Sequence, residues 1–261
     1  MTHWLFGLPV LWMAVVILGA VYLGTAAIYL LVTALAVGER ARAFKAVSPG
    51  VLPPMAIIFA LLVGFLSAQV WSDTDRASNA VNQEASSLRA AVLLAGAFPG
   101  QPERQIHDLI QRHIEDVITE EWPAMARGEA TLTLVPARLA EALRVAFSLE
   151  PQGQGQMAAQ GEMVASLQSA LEARRQRIIL SGAAIDWVKW SVLLIQAAIT
   201  LTAIAFVHCD NQLTNRIIMG LFATGVGVAI IMIAAHDGPF AGEMSVQPTV
   251  LQQVMPEAAT G

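Results

Sequence analysis

VLPPMAIIFALLVGFLSAQVWSDTDRASNAVNQEASSLRAAVLLAGAFPG, residues 51–100, passes without a break from a membrane-type composition to a water-type one. Residues 51–71 carry no charged side chain. A helix needs ~20 such residues to cross a hydrocarbon core about 30 Å thick. From Ala77 the pattern Ala77, Val81, Glu84, Leu88, Ala91, Ala95 advances by three and four, which is one stripe of a helix. The sequence thus predicts one helix that leaves the bilayer and continues to the breaker Phe98-Pro99-Gly100.

Working outward, residues 8–37, 187–207 and 213–235 have the same length and apolar character, so four crossings are expected. With 56% hydrophobic and 13% charged residues, the chain lies far from the roughly 25% charged content of a soluble domain. A soluble fold would have to hide four helices that are apolar all round, and the remaining polar chain is too short for that. The first segment lacks a basic leader and is too long for a signal-peptide core, so it is expected to remain in the mature protein. The expected fold is an all-α membrane protein: four transmembrane helices, with an extramembrane helical bundle over 73–178 inserted between the second and third. A cap and tail follow over 236–261.

The formal net charge of −5 and the absence of a long basic run argue against nucleic acid as a partner. The single cysteine, Cys209, excludes an internal disulfide framework, and with five scattered histidines it gives no metal-ligand spacing. No metal or cofactor is expected. There is no nucleophile elbow or phosphate loop, and His107 and His113, six apart, do not share a helix face, so an enzyme is not expected either. An even number of crossings puts both termini and the 73–178 region on one side. Arg40, Arg42 and Lys45 after the first crossing are nearly balanced by arginines at the other membrane ends, so charge does not decide which side that is.

Within the middle, a second helix is expected through Ile106, Leu109, Ile110, His113, Val117 and Ile118, ending near Trp122-Pro123. A third starts at Pro136 and closes before Pro151. Residues 152–156 read as a loop, and a last helix through Val164, Leu167, Leu171, Arg174 and Ile178 is expected to run on into the third crossing. Glu84 lies roughly 18 Å beyond Ser72 at 1.5 Å per residue, and Arg174 a similar distance before Trp187. Two readings follow: both charges turn sideways into water, or they form a buried pair that fixes helix register, with Arg177 as the competing partner.

Inside the crossings, Tyr22, Thr25, Tyr29 and Thr33 share one face of the first helix. They are either hydroxyl links between helices or a water-facing wall. Lys189, Gln196 and Thr200 form a similar stripe on the third, and an ionisable group at that depth points to the protein interior or to water, unless Asp186 pairs with it. These seven are the pore or permeation candidates. The fourth crossing is rich in Gly and Ala, which suits tight packing or a narrow backbone-lined path.

After the fourth crossing comes His236-Asp237-Gly238-Pro239-Phe240-Ala241-Gly242-Glu243, then Val246 and Pro248. Acids around a rigid Gly-Pro turn with one exposed Phe suggest a fixed cap that docks at the membrane surface. This string, with Glu121-Trp122-Pro123, the Arg174/Arg177 spacing and Trp190, resembles the bestrophin-like membrane proteins, a mostly bacterial family with the same layout of crossings. The structural motif residues so carried over are Glu84, Glu121, Trp122, Pro123, Arg174, Arg177, Asp237, Pro239, Phe240 and Gly242. The resemblance implies a bacterial inner-membrane protein akin to bestrophins, which are homo-oligomeric anion channels with an axial pore. Its partners would be the lipid bilayer, copies of itself (five by analogy) and inorganic ions. The alternative is a membrane-anchored sensor or scaffold whose helical bundle binds a ligand or partner. No acidic cluster resembles a bestrophin calcium clasp, and Asp186 stands where such proteins more often have proline.

Overall fold

A computed structural model describes residues 9–133 and 136–256, so the first residue of the first expected crossing and the end of the tail, 257–261, lie outside it. The described residues form ten α-helices with short 3-10 and π segments: α1 Val10–Leu35, α2 Glu39–Lys45, α3 Leu52–Ala95, α4 Gln101–Asp116, α5 Trp122–Ala126, α6 Ala137–Ser148, α7 Gln154–Ser181, α8 Trp187–Val207, α9 Gln212–Ala235 and α10 Thr249–Gln253. Four of them, α1, α3, α8 and α9, are long and apolar enough to cross a membrane. The protein is therefore all-helical and multi-pass, with the helical segments α4–α7 between its second and third spans.

Helix α3 holds 44 residues. At 1.5 Å per residue it is about 66 Å long, twice the thickness of a hydrocarbon core. Its charge-free first half belongs to one compact unit, residues up to Trp71 with Ala184–Asp237, and its second half to another, Ser72–Ala183 with the residues from Gly238 on.

In the first unit α1 packs against α8 and α9. The core is built from Met13, Ile17, Phe59, Leu66, Val70, Leu193, Val226 and Ile230. Gly227 permits the closest approach: a Cβ there would sit 2.6 Å from Leu18 Cδ2. Only 17% of the apolar window of α1 is covered by the chain itself, which leaves Leu11, Leu23 and Leu30 facing outward. Short α2 is fixed by Phe44, whose ring stacks 4.5 Å from that of Phe206 at the end of α8.

In the second unit the stripe read from the sequence becomes the core. Ala77, Val81, Leu88 and Ala91 of α3 bury against Ile106, Ile110 and Ile114 of α4, Leu139 of α6 and Met163 and Leu167 of α7. Gly100, in the left-handed region at φ 100°, makes the turn into α4.

Four expectations change. The second middle helix does not stop at Trp122-Pro123: a π-helical turn, Val117–Glu121, leads into α5, because a proline in the first turn of a helix gives up only an N–H that has no partner there. Residues 154–156 join α7, and Gln156 Oε1 accepts the Gln152 N–H at 2.8 Å where a loop was expected. The last middle helix does not run into the third crossing. It ends at Ser181, and the link to Trp187 is held open by Asp237, whose Oδ1 accepts the Ile185 N–H at 2.7 Å. Phe240, expected exposed on the cap, is only 3% exposed, with its ring edge-on to Trp122 at 5.4 Å.

Candidate functional site

Polar groups gather in two places, one in each unit. In the membrane unit the two tyrosines of the α1 hydroxyl stripe join helices. Tyr22 Oη lies 2.7 Å from Thr224 Oγ1 of α9, and Tyr29 Oη accepts from Arg216 Nε at 3.0 Å while its ring faces the guanidinium at 5.4 Å. Thr25 and Thr33 bond back to Val21 O and Tyr29 O one turn earlier, as hydroxyls in apolar helices do. Thr200 does the same to Gln196 O. Across to α3, Gln196 Nε2 donates to Met55 O at 3.3 Å and Lys189 Nζ to Gln69 Oε1 at 2.9 Å. Of the readings left open for Lys189, pairing with Asp186 is not the one that forms: its partner is an amide from the second crossing. The sequence signal for Gln69 was simply that it is the one amide in an apolar run.

At the end of α9, Asp237 is buried and accepts twice, from Ile185 N and, at 3.4 Å, from Trp190 Nε1. Two motif positions, Asp237 and Trp190, therefore meet. Of the others, Phe240 and Trp122 meet in the second unit, where Val246 N donates to Pro239 O at 2.8 Å and the left-handed Gly242 (φ 83°) turns the chain.

The second site is a buried charge network in the helical bundle. Glu84 and Arg177 have fully buried side chains, with Nε donating to Oε2 at 2.7 Å and Nη2 to Oε1 at 3.2 Å. The register pair therefore forms with Arg177. Arg174, the partner suggested by helix height, turns to Glu121, its Nε 2.8 Å from Oε1. Arg177 Nη2 also donates to Glu121 Oε2 at 3.0 Å, so Glu121 bridges both arginines. Trp122 lies against the guanidinium of Arg177 at 5.3 Å, and Met125 Sδ accepts from Nη1 at 3.3 Å. Pro123 is exposed and serves as the start of α5.

His113 completes the network, with Nε2 3.2 Å from Glu84 Oε1 and the ring 3% exposed. The sequence placed it on an apolar stripe, and a polar residue on such a stripe was the available sign that it meets another. Burial pushes the Glu84 carboxyl up, but the charge of Arg177 and hydrogen bonds from His113 and Arg177 outweigh this and hold it at about 2, against an ordinary 4.5. Burial likewise disfavours charged Arg177, and Glu84 and Glu121 reverse that to raise its pKa. A cavity of about 250 Å³ opens beside this network, with His113, Glu121 and Arg174 on its wall. Among the described residues, no group of three or more His, Cys, Asp or Glu could hold a metal ion.

Comparison with known proteins agrees with this geometry. A family profile described as Bestrophin-like domain matches residues 19–251. No curated protein matches. Among solved structures, a crystal structure of a bacterial bestrophin homologue from Klebsiella pneumoniae carrying one substitution is 12% identical with a TM-score of 0.70, covering 92% of this chain and 96% of that one. A second variant of that homologue gives 12%, 0.70, 92% and 97%, and a third 13%, 0.68, 92% and 95%. At such identity the likeness is one of fold. The family profile, which spans most of the chain, goes further: the chain belongs to the bestrophin-like domain family of membrane proteins.

Proposed function

We propose that the chain is the subunit of a homo-oligomeric ion channel in a bacterial inner membrane, with a preference for anions. The observation that carries the preference is the charge inside the four membrane helices. Over residues 10–35, 52–71, 187–207 and 212–235 the only Lys, Arg, Asp or Glu residues are Lys189 and Arg216. Both are cations, and neither has a carboxylate partner among the described residues. Lys189 is held by Gln69, and Arg216 by Tyr29 and Gln212. A cation kept in a membrane segment by neutral partners leaves a positive field for a passing anion. Repeated around a symmetry axis, it becomes a ring. Tyr22, Tyr29, Thr33 and Gln196 remain the candidates for polar walls, whereas Thr25 and Thr200 are buried within the unit and bonded to their own helices, and the wide uncovered face of α1 suits lipid or a neighbouring copy.

The test is purified protein in a planar bilayer under a KCl gradient. Reversal near the chloride potential is expected. Reversal at the potassium potential overturns the preference, and a folded oligomer that never conducts overturns the channel. The cavity beside Glu121 and Arg174 favours a second reading, a sensor whose bundle takes a ligand, and that silent oligomer is the result it requires.

A further inference from the structure

The cavity beside the charge network runs from a buried floor, His113 and Arg174, to an exposed rim with Glu120, Glu129 and Arg138. At the floor, ionised Glu84 can only accept, so His113 Nε2 carries the hydrogen it shares with Oε1. In the neutral ring Nδ1 is then left with a lone pair. It has no partner among the described residues, although the ring is only 3% exposed. The one buried side-chain atom sealed without a partner among those residues is Asn215 Oδ1. Nδ1 is therefore not sealed, and the space it opens on is the cavity that the ring lines.

The other open groups on this wall are mostly acceptors too. Glu120 has no partner among the described residues. Asp116 and Glu129 each give one oxygen to an arginine, to Arg138 Nε at 3.4 Å and Arg127 Nε at 2.7 Å, and keep the other open. With Glu121, the wall carries four carboxylates against the guanidinium groups of Arg138 and Arg174, and both of those already face a carboxylate. Open acceptors inside an excess of two negative charges favour a ligand that brings donors and positive charge together. A metal ion does not fit, because no group of three or more His, Cys, Asp or Glu among the described residues could hold one. An alkylammonium does: it offers three N–H donors in one charged group, and two such groups match the excess. At about 250 Å³ the cavity is smaller than the pockets of roughly 300–1,000 Å³ that enclose drug-sized ligands, so the chain between them is short.

We propose that this cavity binds a short aliphatic diamine, one ammonium donating to His113 Nδ1 at the floor and the other held by Glu120 and Glu129 at the rim. The proposal rests on the second reading above, in which the bundle takes a ligand, and gives that ligand its chemistry. Binding is measured without current, so its failure and the failure of that reading are separate results.

Calorimetric titration of the full chain in detergent with 1,4-diaminobutane tests it, at about pH 8, above the ordinary imidazole range. One saturable site per chain is expected. Butylamine should bind several times more weakly, and succinate, a dianion of the same chain length, should not compete. Glu120→Gln and Glu129→Gln, both at exposed positions, should each weaken the diamine roughly tenfold, as losing one hydrogen bond to a charged group does. His113→Leu removes the floor acceptor and should weaken it as well; should that variant not fold, the two rim variants decide. No saturable binding, equal binding of succinate, or unchanged affinity in any folded variant overturns the site.

Discussion

Glu84 of α3 and Arg177 of α7 lie 93 residues apart in sequence and share two hydrogen bonds, with both side chains fully buried. The pair locks the register of the two long helices, and Ser169 repeats the link one level away by bonding Gln83 and Ser87. Removing one partner strands a charge in the core, at a typical cost of ~3–5 kcal/mol. Glu84→Ala or Arg177→Ala should therefore lower Tm strongly in detergent. Replacing both by apolar residues of similar size should lower it less than either single change.

The acid side of the stability curve follows from the same pair. The folded carboxyl of Glu84 is held at about 2, below its ordinary 4.5. A depressed acid stabilises the fold above its unfolded pKa, and that contribution fades as pH falls from 4.5 through 2. Tm measured over this window should fall more steeply for the wild type than for Glu84→Gln, which has no carboxyl to protonate.

Much of this fold was legible because its signals are periodic. The stripe from Ala77 to Ala95 named the α3 core residues, and the charge-free runs named the four spans. The choice between Arg174 and Arg177 was not legible. They sit on one face three residues apart, and counting rises along two helices resolves no better than one turn, about 5 Å. Trp122-Pro123 misled for another reason: proline stops a helix in its interior but starts one comfortably, and the π turn that brings Glu121 round to both arginines has no sequence signature. Gln69 escaped because its partner comes from a distant segment, and for Asp237, named from the motif, only the fold shows that it meets Ile185 and Trp190.

Packing in the membrane unit gives a third expectation. A Cβ at Gly227 would sit 2.6 Å from Leu18 Cδ2, the flexible end of a side chain. Gly227→Ala should cost little because Leu18 can turn aside. Gly227→Val should lower stability by ~1–3 kcal/mol, as overpacked cores do. Leu18→Ala in the same chain should restore part of that loss, and thermal unfolding of the three variants measures it.

Asp237 supplies a fourth. It satisfies the Ile185 N–H in the non-helical link before α8 and reaches the Trp190 indole. Asp237→Ala leaves a buried donor unpaired, which costs ~1–3 kcal/mol. Asp237→Asn keeps one acceptor oxygen and should fall between. Protease cutting at residues 182–186, faster in Asp237→Ala than in Asp237→Asn, reports the loosened link.

The last expectation concerns selectivity. Lys189 and Arg216 stand near opposite ends of α8 and α9, each without a carboxylate partner among the described residues, and under the proposed function each attracts a passing anion. A unit charge about 10 Å away in water contributes ~0.4 kcal/mol, or about twofold in permeability per charge. A ring multiplies this energy by the subunit number, so the fold-change compounds. Lys189→Ala should therefore lower the chloride-to-potassium permeability ratio at least twofold and move the reversal potential toward zero, and Lys189→Glu should move it further, past zero. Gln69→Ala removes the neutral partner but keeps the charge, so the ratio should survive while the unitary conductance changes. If Lys189→Glu leaves the reversal potential in place, the anion preference does not come from this lysine, and Arg216→Gln is then the variant that must move it.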